Sequence, residues 1–276
     1  MQIIIPPRKR LLPDPFIAPV PGEWGPCALC QSHSKLTEAH VPPKSVGNTD
    51  EWVTRSYMTS LAARNDEVYF PRHFKGGLRF KTLCRDCNSS LGGREDKAIA
   101  SFFEQVRRRI ESPIAVATPI VRVVAKPNLL FRGLLAHMAS ANDSGMPCSF
   151  DAEAREMFFG KRELRQSSWN LFYWLYLGKS LFVTRNVFHT TWHPTVQVSP
   201  MFLLKLYPLA FMFAHESWFM GCPNVRKFLC QRDDDEAELP VQVFRYDANP
   251  VWPVTTSDKN AIMMGGNAFG LVGARN

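Results

Sequence analysis

No segment of this chain is both long and uncharged enough to cross a lipid bilayer as a helix. The most apolar stretch, Met201–Met220, carries Lys205, Pro208, His215 and Glu216, whereas a spanning helix needs about 20 nearly uncharged residues. It is therefore expected in a core. The opening residues are not expected to act as a secretory leader either. In the opening MQIIIPPRKRLLPDPF the apolar run before Pro6 is short and precedes the basic residues, the reverse of a signal peptide. There is no internal repeat, and no low-complexity tract beyond the first 22 residues. These absences lead to the expectation of a cytoplasmic protein with no membrane contact. In that compartment the seven cysteines are expected as thiols or metal ligands, not disulfides.

What is present is an ordinary globular composition, 45% hydrophobic and 21% charged over 276 residues. That length suits one large domain or two small ones, with a core that needs no staple. The net charge of +8 is uneven: residues 1–110 carry 17 basic and 11 acidic side chains, the remainder 16 and 14. A basic first part suits a polyanionic partner, since its field draws phosphates from a distance. It equally suits an exposed basic face with no ligand.

Residues 1–22, with Pro6, Pro7, Pro13, Pro15, Pro19 and Pro21, read as an extended proline-rich basic arm. Residues 23–111 form the next unit. Its part up to residue 97 holds four of the seven cysteines and three of the seven histidines, with few long apolar runs, and a unit so poor in core calls for a metal staple. Asp96–Glu111 reads as a helix with Ile99, Phe102, Phe103, Val106 and Ile110 roughly on one face, stopped by Ser112-Pro113. Residues 112–276 read as a larger domain of mixed α and β. Strands are expected over 114–124, 182–198 and 241–254, helices over 128–140 and 154–180, and a loop at the acidic run 233–236.

The most informative spacing is Cys27-Ala-Leu-Cys30 with Cys84-Arg-Asp-Cys87. Each C-x-x-C turn aims two thiolates at one point, and two such turns give the tetrahedral four-sulfur site that Zn²⁺ favours. Pro26-Cys27-Ala28-Leu29-Cys30 also has the P-C-x-x-C form of zinc nucleobase deaminases. Those enzymes need an upstream His-x-Glu, and the first histidine here, His33, lies downstream.

Around these pairs lie two segments. One is Leu36-Thr37-Glu38-Ala39-His40-Val41-Pro42-Pro43-Lys44-Ser45. The other is Thr82-Leu83-Cys84-Arg85-Asp86-Cys87-Asn88, running on into Leu91-Gly92-Gly93. They resemble the HNH (ββα-metal) endonucleases, particularly the subgroup framed by two zinc-binding C-x-x-C pairs. In that pattern a strand carries a histidine followed by a hydrophobic residue and a proline. A loop then leads to Leu-Cys-x-x-Cys, and His or Asn follows at once before a helix. The resemblance covers about residues 24–100 and does not reach 111–276.

It implies an α+β protein: an N-terminal zinc-stapled ββα-metal (HNH) module, then a larger mixed α/β domain of unknown fold. The implied activity is metal-dependent hydrolysis of DNA phosphodiester bonds. That chemistry needs a base to deprotonate water and a divalent cation to steady the phosphorane. His40 aligns with the base, and Asn88 with the metal ligand that opens the helix; a helix-capping asparagine is the other reading of Asn88. The chain departs from the pattern at Ala39, where many members carry a metal ligand, and near Arg79, where the central asparagine of the family name is absent. Glu38, on the same strand face as His40, is the nearest carboxylate. It joins Asn88, His73 and Asp96 as a candidate ligand for Mg²⁺, Mn²⁺ or Ni²⁺, with a surface carboxylate as the alternative for Glu38 and a loop histidine for His73. Lys44, Arg72, Lys75, Arg79, Lys81, Arg85 and Arg94 are candidate phosphate contacts.

Coupling of such a nuclease to an unrelated domain is similar to bacterial defence effectors, in which the second domain senses or recruits a protein partner. The alternative is a degenerate HNH module, its metal shell broken at Ala39, that binds nucleic acid as an adaptor. Cys148, Cys222 and Cys230 read as buried thiols, and His137 and His215 as core histidines.

Overall fold

The computed structural model describes residues 10–12, 22–56, 67–69, 72–112, 119–142, 148–191, 197–215, 221–243, 262–264 and 270–275. Its first elements are β1 (Arg10–Leu12), β2 (Trp24–Pro26), β3 (His33–His40), β4 (Trp52–Ser56), β5 (Glu67–Tyr69), β6 (Arg72–Phe74) and β7 (Arg79–Cys84). Helices α1 (Arg85–Leu91) and α2 (Glu95–Glu111) follow, then β8 (Ile120–Ala125), α3 (Pro127–Ser140) and α4 (Ser149–Phe158). The remaining strands are β9 (Trp169–Leu175), β10 (Leu181–Thr191), β11 (Gln197–Leu206), β12 (Leu209–His215), β13 (Ala237–Gln242), β14 (Ile262–Met264) and β15 (Gly270–Arg275). The mixed α and β content expected from the sequence is present.

Two sheets matter for the site. Strands β2, β3 and β7 form a small antiparallel sheet that runs straight into α1. A larger, antiparallel sheet has the order β6-β4-β15-β10-β11-β12-β9, with β14 beside β10. The helices α2, α3 and α4 pack on one face of it. Phe102 meets Tyr173 edge-on at 5.6 Å, Phe131 meets Phe213 at 5.6 Å, and Phe150 stacks on Phe202 at 3.9 Å. In α2 the buried side chains Ala98, Ile99, Phe102, Phe103 and Val106 recur at helical spacing. Glu95 and Asp96 at its start and Arg108 and Arg109 in its last turn oppose the macrodipole. Helix α3 is buried all round except at Arg132, the signature of a helix inside a core.

The expected helix over 154–180 is corrected: α4 ends at Phe158, and Trp169–Leu175 is a strand. Its residues are apolar on both faces, Leu171 and Tyr173 meeting the helices while Phe172 and Trp174 join a second cluster with Phe182, Met201 and Met212. A strand buried on both faces has no period-two signature, so only its aromatic content distinguishes it from a helix. The single strand expected over 182–198 is instead two, β10 and β11. The strand expected from 114 begins at Ile120; residues 113–118 lie outside the described residues, as do most of the arm and residues 244–254. His215 is exposed at the end of β12, not in the core.

The boundary expected between 111 and 112 is bridged. One hydrophobic cluster runs from Cys27 to Val241, and β4, from the first segment, pairs with β15, from the last. Two ion-paired arginines, Arg185 buried and Arg132 nearly so, lock the layers. Arg185 donates from Nη2 to both carboxylate oxygens of Asp151, at 2.7 and 2.9 Å, and from Nη1 to the carbonyl of Met138. Arg132 lies between Glu95 and Asp233, at 2.9 and 2.8 Å. Asp151→Ala strands a buried guanidinium, so it is expected to destabilise the fold by about 3–5 kcal/mol. Urea unfolding measures this, and an unchanged midpoint would mean that the pair is not buried in solution. No described helix is long and apolar enough to cross a membrane.

Candidate functional site

The two cysteine pairs fold into facing turns. In the first, the Gln31 amide donates to the carbonyl of Cys27, and the chain turns back through Gln31 at φ 64°. In the second, Cys84 closes β7 and caps α1, its sulfur accepting from the Cys87 amide at 3.5 Å. The Ala28 amide donates to the Thr82 carbonyl and ties the turns together. All four sulfurs of Cys27, Cys30, Cys84 and Cys87 lie within 4.8 Å of one another, and those of Cys30 and Cys84 are 3.8 Å apart. A tetrahedron with metal–sulfur bonds of about 2.3 Å has edges of about 3.8 Å, so the donor set fits a four-coordinate metal. Burial pushes the Cys27 thiol up, and burial with the neighbouring sulfurs pushes Cys87 up. Cys30 is lowered to about 7: burial acts upward, but hydrogen bonds from the Ser32 hydroxyl and backbone outweigh it. A dication held by these four sulfurs would favour their thiolate forms.

His40 ends β3, directly opposite Arg79 of β7. Its Nε2 lies 3.0 Å from the carbonyl oxygen of Gly76. A carbonyl only accepts, so Nε2 carries the proton and Nδ1 keeps the lone pair. Burial holds the imidazole below its usual pKa, and Arg79 and Lys44 add to this. The result is a neutral base in a cationic setting.

The loop around His40 is held by a residue that sequence reasoning missed. Asn48, fully buried, donates to the carbonyls of Pro42 and Leu78 at 2.7 and 3.0 Å. Its Oδ1 accepts from the Leu78 amide and from the Trp52 indole at 2.8 and 3.2 Å. It thereby joins the chain leaving β3 to the chain approaching β7. In sequence it sits in Gly47-Asn48, which looks like any surface turn, so no local signal marks it. Gly77 completes the cradle at φ +103°, where an added Cβ would lie 2.1 Å from the Asn48 carbonyl and 2.9 Å from the His40 ring. Gly77→Ala is expected to cost more than about 1 kcal/mol, because it adds a clash to a backbone that L residues disfavour. A fall in melting temperature with altered His40 ring resonances checks this, and a native-like spectrum would refute it.

The candidate ligands are less convergent. Along β3, alternation turns Glu38 and His40 to one face and Thr37 and Ala39 to the other. Glu38 is paired with Arg79 at 2.7 Å. Asn88 is not the cap of α1, a place that Cys84 takes. Its Nδ2 instead donates to the Thr37 hydroxyl and the Glu38 carbonyl at 3.1 and 3.2 Å, pinning the helix to the face of β3 that carries Ala39. Asp96 is bound to His137, a buried histidine, at 2.7 Å, and His73 is exposed on β6. Among the described residues only the four cysteines gather as a cluster of His, Cys, Asp or Glu side chains able to hold a metal.

Of the candidate phosphate contacts, Arg79 and Lys81 lie opposite His40 and Glu38, so they share the face of those two residues. Lys44, Lys75 and Arg85 are exposed, and Arg72 lies over the Phe74 ring at 4.7 Å. Arg94 is bridged to Asp234 at 2.7 Å. The acidic run is no free loop: Asp233 pairs with Arg132, Asp234 with Arg94 and Lys126, and Asp235 with Arg232. Cys222 is buried as expected, whereas Cys148 and Cys230 are only partly so. Comparison of the chain with family models, with curated proteins and with solved structures returns no match.

Proposed function

We propose that this protein is a zinc-stapled endonuclease of the HNH type that hydrolyses phosphodiester bonds in DNA. The observation that carries the reading is the setting of His40. It is a neutral imidazole with Nε2 fixed by the Gly76 carbonyl, and it is flanked by the cations Arg79 and Lys44 on a strand that the four-cysteine knuckle braces. Zn²⁺ is the ion the four sulfurs suit, and it shapes the hairpin without touching substrate. His40 Nδ1 takes the proton of the attacking water, while Arg79, Lys81 and Lys44 hold the phosphate and its neighbours.

A divalent Mg²⁺, Mn²⁺ or Ni²⁺ would supply charge to the phosphorane and the leaving oxygen. The donors offered for it do not converge, since Glu38, Asp96 and Asn88 are each engaged elsewhere. The proposed roles of this chain's residues are therefore proton acceptance and phosphate positioning. A role like that of bacterial defence effectors, the large sheet receiving a protein partner, belongs to the same proposal and rests on the family resemblance alone.

One observation favours a second reading. Ala39, where the family pattern places a metal ligand, lies in the hydrophobic core, and the nearby carboxylate of Glu38 is taken by Arg79. An adaptor that binds nucleic acid without cutting it would keep the cationic face and the zinc while losing the metal shell. Supercoiled plasmid nicking by purified, zinc-loaded protein with Mg²⁺, Mn²⁺ or Ni²⁺ separates the two. Metal-dependent nicking supports the nuclease; binding without nicking under every metal supports the adaptor.

A further inference from the structure

Beside the His40 face lies a cleft of about 250 Å³, between the small sheet and the ends of α3 and α4. Trp24 stands at its lip with 63% of its surface exposed, and it is lined also by Leu36, Lys81, Gln31, Asp151 and Arg155. Among the described residues Trp24 is the most exposed of the large hydrophobic side chains. The charge around it is one-sided. Asp151, the only carboxylate in the lining, is buried and neutralised by Arg185. Lys81 has no partner among the described residues, and Arg155 makes only a long contact with the Ala28 carbonyl. The Gln31 amide nitrogen is spent on the carbonyls of Cys27 and Ala28, leaving its oxygen to accept.

An aromatic platform with cations beside it and an amide within reach is the chemistry that holds an unpaired nucleobase and its phosphate. The cleft is too small for a duplex, and smaller than the ~300–1,000 Å³ of drug-sized sites. One residue links it to the proposed active face. Lys81 belongs to both: it lines the cleft and stands opposite Glu38, two residues along β7 from the partner of His40. From His40 back to Leu36 is four residues of β3, roughly 13 Å.

We propose that Trp24 stacks an unpaired base of a single strand whose backbone runs over Lys81 and Arg79 to His40. The substrate is then a nucleic acid with a single-stranded or frayed segment a few nucleotides from the cut. The substrate claim rests on the nuclease reading; the base-binding claim does not.

Binding separates the two. Fluorescence anisotropy of a labelled single-stranded DNA oligonucleotide, and of the duplex of the same sequence, is measured with zinc-loaded His40→Ala protein and no added divalent metal. Trp24→Ala in that background is expected to weaken single-strand binding about 5- to 150-fold and to leave duplex binding within twofold. Trp24→Phe keeps most of the affinity, and Lys81→Gln lowers the salt dependence. Equal loss on both forms, no loss on either, or no single-strand binding by the parent protein would overturn the proposal. Zinc content and melting temperature of each variant show that the fold is intact. Failure of wild-type protein to nick DNA, with Trp24-dependent binding retained, sinks the nuclease reading and leaves this cleft standing.

Discussion

His40→Ala is expected to lower metal-dependent plasmid nicking by about 10²- to 10⁴-fold, the usual contribution of a positioned general base, while zinc content stays unchanged. The ring is only partly buried, and its hydrogen-bond partner among the described residues is the Gly76 carbonyl, so truncation removes the proposed base without opening the core. The pH profile gives an independent check. Burial and the cations Arg79 and Lys44 hold His40 below its ordinary pKa of 6.5, so the neutral, active form already dominates at neutral pH. Nicking should fall only as the pH drops through that lowered value, and should be flat above it. Arg79→Gln removes one of the opposing charges and should move the midpoint upward. A variant that nicks as well as wild type would remove His40 from the mechanism, whatever the metal dependence.

Loss of the four-sulfur site is expected to be at least as severe. Structural zinc binding is worth about 10–16 kcal/mol in small zinc-dependent folds, against a total stability of about 5–15 kcal/mol for a typical domain. Cys87→Ser, or a strong chelator, should therefore melt the β2-β3-β7 sheet and α1. The effect should spread, because Cys27, Leu29 and Cys87 belong to the same cluster as the α2, α3 and β9 residues. The measurements are zinc content, limited proteolysis and melting temperature before and after chelation. Protein that releases its zinc and keeps its melting temperature would show that the sulfurs are bystanders. Cys30→Ser is expected to be the mildest of the four, since Cys30 is the less buried member of its pair and contacts Ser32.

Local patterns carried part of this architecture. The spacing of Cys27, Cys30, Cys84 and Cys87 was enough to bring four sulfurs together, because a C-x-x-C turn fixes its own geometry. Helix α2 was legible because its apolar residues recur every three or four positions before Ser112-Pro113, and α3 as a continuous apolar run opened by Pro127. Strand β9 was not, because burial on both faces erases the alternation that marks a strand. Nor could the sequence pair β4 with β15, whose residues lie more than 200 positions apart.

The chemistry divides the same way. His40, Glu38 and the cations were visible as residue types near a motif. What each one does was set by contacts made over long distances in the chain. Arg79 takes Glu38, His137 takes Asp96, and Gly76 chooses the tautomer of His40. Asn48 passed for a turn residue until the fold buried it under two loops that only tertiary structure brings together. The sequence alone determined the metal-binding knuckle and the cationic character of the face beside it, because both follow from residue type and short spacing. The tertiary structure decided which side chains are free to act, because hydrogen bonds and ion pairs saturate, and their partners come from wherever the sheet and helices deliver them.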